Sequence, residues 1–133
     1  MSLPAPVILL IEDSADDAFF MRYALQKSGI NHDLRVVTTG QQAVDYLSGL
    51  GEFADRNAFP LPTFVFLDLK LPLLNGFEIL SWMRNQPALR DLPVIVLTGS
   101  SEDRDKRRAM ELGAKSYCVK PAPEEFLRRM LES

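Results

Sequence analysis

Four places where a short apolar run ends carry side chains suited to handling a phosphoryl group. Glu12 and Asp13 follow Val7–Ile11, Asp68 follows Phe64–Leu67, Thr98 closes the run that begins at Val94, and Lys120 with Pro121 follows Ser116–Val119. Side chains at the carboxyl ends of neighbouring parallel strands converge in one crevice. Three carboxylates would therefore meet, and at an effective dielectric near 20 two such charges about 4 Å apart repel by roughly 4 kcal/mol. A divalent cation and an ammonium relieve that crowding. A hard ion such as Mg²⁺ takes one or two protein carboxylates and fills its shell with water and phosphate oxygens, which suits Glu12 and Asp13. Asp68 stands at the end of a wholly apolar strand and is followed by a loop with proline and glycine, Leu71–Gly76. A carboxylate held there can attack phosphorus and form an acyl phosphate. The Thr98 hydroxyl can donate to a phosphoryl oxygen, with side-chain-free Gly99 leaving access and Ser100 at the mouth. Lys120 can pair first with a carboxylate and then with the phosphoryl group.

Each residue also has a local explanation. Asp68 fits a turn-initiating aspartate, Glu12 and Asp13 fit an acidic lead-in to a helix, and Thr98 fits a residue before a helix that Ser100 or Ser101 caps. A lone strand-end lysine is usually solvated. Asp16 and Asp17 read as first-turn helix acids and stay outside the candidate site. A cis Lys120–Pro121 bond is expected only if Lys120 must turn back into the crevice. Agreement of all four strand ends is what argues for a site.

The elements that would position these groups alternate along the chain. Strands are expected near residues 7–11, 34–37, 64–67, 94–97 and 117–119, separated by helical patterns, which implies βα units and a parallel sheet. The first, third and fourth are continuously apolar, as strands covered on both faces should be, while the second carries His32, Asp33 and Arg35 and reads as an edge. Helix 1 starts at an N-cap Ser14, with Asp17 three residues on and a stripe through Ala18, Met21 and Leu25, and stops at Gly29. Helix 2 uses Ala43, Val44 and Leu47, and helix 3 uses Phe77, Leu80 and Met83 before Pro87. Helix 4, Glu102–Leu112, offers only Ala109, Met110 and Leu112 as apolar area and is expected to be mobile. Helix 5 runs from Pro123 or Glu124 to about Leu131. Between helix 2 and strand 3 lies a long loop, Ser48–Thr63, with two hydrophobic plugs, Phe53 and Phe59.

With 133 residues, 47% hydrophobic and 25% charged, the chain fits one globular domain, residues 1–133, with no output domain. A formal net charge of −3 gives no help in holding a phosphate backbone or an anionic bilayer, so neither nucleic acid nor membrane is an expected partner. The start Met1–Pro6 lacks a signal-peptide pattern, and the single Cys118 suits a reducing, cytoplasmic setting and reads as inert. His32 reads as an edge residue, and Trp82 and the Phe19–Phe20 pair as core or helix-face residues, with Trp82 a candidate partner contact.

In order and spacing, the acidic pair Glu12–Asp13, Asp68, Thr98 and Lys120–Pro121 resemble the response-regulator receiver domains of two-component signalling, over essentially the whole chain. The resemblance implies a doubly wound, flavodoxin-like five-stranded parallel sheet in the order 2-1-3-4-5 and Mg²⁺ held by Asp13, Asp68 and the backbone carbonyl of Lys70, with Glu12 acting through water. It implies phosphoryl transfer from a partner histidine kinase to Asp68, a switch in which Thr98 moves and Tyr117 reorients, and output through the surface of helix 4, strand 5 and helix 5 to another protein or a second copy. The Ser48–Thr63 loop, with Asp55-Arg56-Asn57 and Phe59-Pro60-Leu61-Pro62, resembles single-domain receivers paired with bacterial phytochrome-type kinases. Two rival readings fit the residues less well. An aspartyl-phosphate phosphotransferase or phosphatase of the haloacid-dehalogenase type wants a second aspartate where Lys70 stands, and a non-phosphorylated pseudo-receiver would lack part of the quintet that is present here.

Overall fold

The computed structural model describes residues 5–132; Met1–Pro4, part of the segment searched for a signal peptide, and Ser133 lie outside the described residues. Five strands, β1 (Val7–Ile11), β2 (Asp33–Val37), β3 (Phe64–Leu67), β4 (Val94–Thr98) and β5 (Ser116–Val119), pair in parallel in the order β2-β1-β3-β4-β5. Five helices connect and close them: α1 (Ala15–Lys27), α2 (Gly40–Ser48), α3 (Gly76–Arg84), α4 (Asp103–Glu111) and α5 (Glu124–Glu132). The expected strand boundaries hold to within one residue, and β2 is an edge strand as its composition suggested.

The period-2 alternation of strand side chains splits the core between the two faces of the sheet. Leu9, Ile11, Val65, Leu67, Val94 and Val96 pack with α2, α3 and α4, whereas Ile8, Leu10, Phe64, Phe66, Ile95 and Leu97 pack with α1 and α5. Both sets are almost fully buried, which is why β1, β3 and β4 read as unbroken apolar runs. The inward stripe of α1 is Met21 and Leu25, and that of α5 is Leu127. On α3 the buried side chains are Ile79, Leu80 and Met83, with Phe77 only partly covered. Helix α4 buries one of its nine residues, Ala109.

Side-chain caps fix where the helices begin. Ser14 accepts from the Asp17 N–H at 3.2 Å, Thr39 from Gln42 at 3.0 Å, and Asn75 from Glu78 at 3.0 Å while Glu78 accepts from Asn75 in return. Helix α4 differs from expectation. Its N-cap is Glu102, not Ser100 or Ser101, and makes no side-chain cap bond. The Ser100 hydroxyl instead accepts from the Glu102 N–H at 3.3 Å and donates to Asp105 at 2.7 Å, so a serine just outside the helix serves its first turn.

The Ser48–Thr63 loop is tightly packed. Phe53 is buried and Phe59 half-buried; the Phe59 ring meets Phe53 and Tyr46 edge-on, and Phe53 packs tilted against Tyr46. Arg56 donates to the carbonyls of Tyr46, Leu47 and Phe59 at 2.8, 3.0 and 3.1 Å, closing the end of α2, and the Tyr46 hydroxyl donates to Pro60 at 2.8 Å. The orphan carbonyls of a helix terminus are thus satisfied from within the insertion.

Candidate functional site

The strand order reverses at β1, so the carboxyl ends of β1 and β3 flank the crevice where open α/β sheets bind ligands. Register sets the side chains. Ile11 pairs with both Val37 and Leu67, and the ladder continues one residue further, with the Glu12 N–H on Val37 O at 3.0 Å and the Asp68 N–H on Ile11 O at 3.1 Å. On the other side Thr98 pairs with Val119, and the Lys120 N–H reaches Thr98 O at 2.7 Å. Glu12, Asp68 and Lys120 are therefore each placed by backbone bonds immediately past a strand.

Glu12, Asp13 and Asp68 bring one carboxylate oxygen each within 4.8 Å of the others. Glu12 is 2% and Asp68 6% exposed, while Asp13 opens to solvent. Such an all-oxygen set, two members of which have little water, fits a hard divalent cation. The Lys70 N–H donates to Asp68 Oδ1 at 3.1 Å, orienting the carboxylate, and the Lys70 side chain points outward. Helix α3 comes close: a Cβ on Gly76 would lie 2.6 Å from the Asp68 carbonyl oxygen, so glycine is needed there to let the helix start against the acceptor.

Lys120 reaches into the cluster, and the Lys120–Pro121 bond is cis. Its ammonium lies 2.5 Å from Glu12 Oε1, 2.8 Å from Asp17 Oδ2 and 3.1 Å from Asp68 Oδ2. Burial alone would lower its pKa, but the bonds to Asp17, Glu12 and Asp68 outweigh it and hold the ammonium charged far above neutrality. Glu12 behaves oppositely. Burial pushes its pKa to about 7 and the neighbouring Asp68 adds to the rise, against the pull of Lys120.

The participation of Asp17 corrects the reading of that residue as a helix acid alone. It sits one turn before Met21 on the inward side of α1, at the end of the helix that faces the site. That i, i+4 relation to the buried stripe was the available signal.

Thr98 is fully buried, and its hydroxyl accepts from the Ser100 N–H at 3.4 Å. The half-buried Tyr117 donates to the Ser100 carbonyl at 2.8 Å, and burial raises its phenol pKa. Ser100 thus links Thr98, Tyr117 and, through Asp105, the first turn of α4. His32 sits beside the edge strand with Nδ1 2.8 Å from the Ile30 carbonyl, and Cys118, half-buried, has its thiol pKa raised by burial. Phe19 and Phe20 are 62% and 60% exposed, which places them on the surface of α1 and not in the core. Among the described residues no helix is long and apolar enough to cross a membrane.

Known proteins resemble this chain in sequence and fold. The probable methanogenesis regulatory protein FilR2 of Methanothrix harundinacea is 39% identical over 95% of this chain and 79% of its own length. Response regulator Rcp1 of Synechocystis is 34% identical over 98% and 87%, and the crystal structure of its Mn²⁺-bound form superposes with a TM-score of 0.79 over 96% of this chain and 89% of that one. The phosphorylated cyanobacterial phytochrome response regulator RcpA, 30% identical, superposes with a TM-score of 0.82 over 97% and 90%. The profile of the response regulator receiver domain matches residues 8–132, and the chain belongs to that family of two-component signalling proteins.

Proposed function

We propose that this protein is a cytoplasmic switch that accepts a phosphoryl group on Asp68 from a phosphohistidine of a histidine kinase, and that the kinase is of the phytochrome type. The observation that carries the reading is the three-way contact of the Lys120 ammonium with Asp68, Glu12 and Asp17 beside a carboxylate set that fits a divalent cation. The phytochrome response regulator among the similar structures supports the kinase class.

In the transfer an Asp68 oxygen attacks phosphorus, the P–N bond of the donor breaks, and the leaving imidazole takes up a proton. Water later attacks phosphorus, releasing inorganic phosphate and restoring the carboxylate. Mg²⁺ would be held by Asp13, Asp68 and the Lys70 carbonyl, with Glu12 through water, and when bound it supplies charge neutralisation at the phosphoryl oxygens. Lys120 stays protonated throughout and donates to the phosphoryl group, as the Thr98 hydroxyl does.

The added charge, about −1.5 to −2, draws Thr98 inward. Because Ser100 is bonded to Thr98, Tyr117 and Asp105, that movement loosens the hold on the Tyr117 hydroxyl and on the first turn of α4. The populations of two packings of α4, β5 and α5 then shift, and this surface carries output to a protein partner or a second copy. The exposed Phe20 on α1 lines the same cavity as Glu12, Asp17 and Lys120 and offers the kinase an apolar contact.

The test is the intact mass of the protein after incubation with Mg²⁺ and acetyl phosphate. One labile phosphoryl group is expected on the wild type and none on Asp68→Asn. Persistence of the adduct in that variant would remove Asp68 from the role.

A further inference from the structure

We infer that Asp17 is a positioning residue for phosphoryl transfer: in the resting protein it holds one of the three donors of Lys120, and it is the partner that Lys120 releases when the phosphoryl group arrives. The inference rests on the reading of Asp68 as acceptor.

A lysine ammonium has three N–H donors and no more. Here all three are committed, to Glu12, Asp17 and Asp68. A phosphoryl group on Asp68 brings new anionic oxygens beside Lys120, and a donor must be freed to meet them. Which bond breaks is decided by the cost of leaving an acceptor without its partner, which grows with burial. The Glu12 and Asp68 side chains are 2% and 8% exposed, whereas that of Asp17 is 39% exposed. Asp17 alone of the three can turn to water.

The local duty that an acid at this helix position would otherwise perform is already taken. In a capping box the third residue of the helix reaches back to the N–H of the capping residue. Here the Ser14 N–H is bonded to Glu12 Oε2 at 3.3 Å, while the Asp17 carboxylate crosses 103 positions of sequence to Lys120. Asp17 still gives its N–H to the Ser14 hydroxyl, so its backbone serves the helix and its side chain serves the lysine.

Asp17 therefore competes with the phosphoryl group for Lys120, and removing its charge strengthens the phosphorylated form. The test is an equilibrium titration of the full chain with beryllium trifluoride, an unreactive phosphoryl mimic, at saturating Mg²⁺, read from the ¹⁹F signal of the bound mimic. Asp17→Asn is expected to bind about threefold more tightly than wild type, the scale of a half-exposed ion pair. Asp16→Asn, which removes an exposed charge from the same helical turn, is expected to leave affinity unchanged. A purely structural role for Asp17 would weaken binding, so the sign is diagnostic. Equal or weaker binding by Asp17→Asn, or the same tightening in Asp16→Asn, overturns the inference while leaving the acceptor role intact. Failure of wild type to bind the mimic overturns both.

Discussion

Glu12 should make divalent-ion binding sensitive to pH in a range where ordinary carboxylates are silent. Burial and the neighbouring Asp68 raise its pKa to about 7, so below neutrality the folded protein holds a proton that the ion must displace. The factor by which the proton weakens apparent affinity is one plus the ratio of protonated to ionised Glu12. With a pKa of about 7 this factor is about 11 at pH 6 and close to one at pH 8, so Mg²⁺ should bind roughly tenfold more weakly at the lower pH, equivalent to about 1.4 kcal/mol. Calorimetric titration in two buffers of different ionisation enthalpy measures both consequences at once. Near pH 6 close to one proton should be released per ion bound, and near pH 8 almost none. Glu12→Gln has no such proton to release, and its proton release should vanish. Equal affinity at both pH values, with heats independent of the buffer, would refute the assignment of a protonated, buried Glu12.

The same shift has a stability consequence of unusual sign. Because the folded pKa of Glu12 lies above its unfolded value of 4.5, the native state binds the extra proton between those limits, and metal-free protein should lose up to about 3 kcal/mol as pH rises from about 4.5 to 7. A urea midpoint that climbs over that range would contradict it. Arg56→Ala removes three hydrogen bonds to carbonyls and should cost about 2–3 kcal/mol by denaturant unfolding, with little rescue by Arg56→Lys, whose ammonium lacks the planar fork; a loss under 0.5 kcal/mol would show the loop closes without it. Leu73 is fully exposed with φ of +67°, so Leu73→Gly should stabilise by about 1 kcal/mol in the same assay, and destabilisation would mean that its side chain is held by contacts. Gly76→Ala should both destabilise the fold and slow acetyl phosphate labelling, since its methyl would press on the Asp68 backbone; unchanged labelling would count against that close approach.

What the sequence made legible was whatever a strand end encodes locally. Glu12, Asp13, Asp68 and Lys120 each follow an apolar run, and a parallel sheet brings run ends together whatever the loops do, so their convergence could be anticipated from order alone. Asp17 could not be separated from its neighbour Asp16 that way. Both satisfy the preference of a helix start for acids, and only the path of the chain from β5 brings Lys120 to one of them. Arg56 entered only as part of the Asp55-Arg56-Asn57 run, because its three acceptors belong to α2 and to Phe59 further along its own loop. Tyr46 was passed over in α2 because its partners, Phe53, Phe59 and Pro60, lie in an insertion whose folding back no periodicity announces. The cap of α4 was misplaced by one or two residues, since Ser100 has the right chemistry for an N-cap but acts from outside the helix. Residues whose positions follow from strand order converge where the sequence implied. Those whose contacts depend on a loop returning to a helix were not anticipated.

The central claim is that Asp68, and none of the carboxylates around it, carries the phosphoryl group. Borohydride reduces an acyl phosphate to an alcohol, leaving homoserine in place of the aspartate, and peptide sequencing by mass spectrometry then locates it. After labelling with acetyl phosphate and Mg²⁺, the account predicts homoserine at position 68. Reduction at Asp13 or Asp17, or at Glu12 as the corresponding alcohol, or at no position, would contradict it.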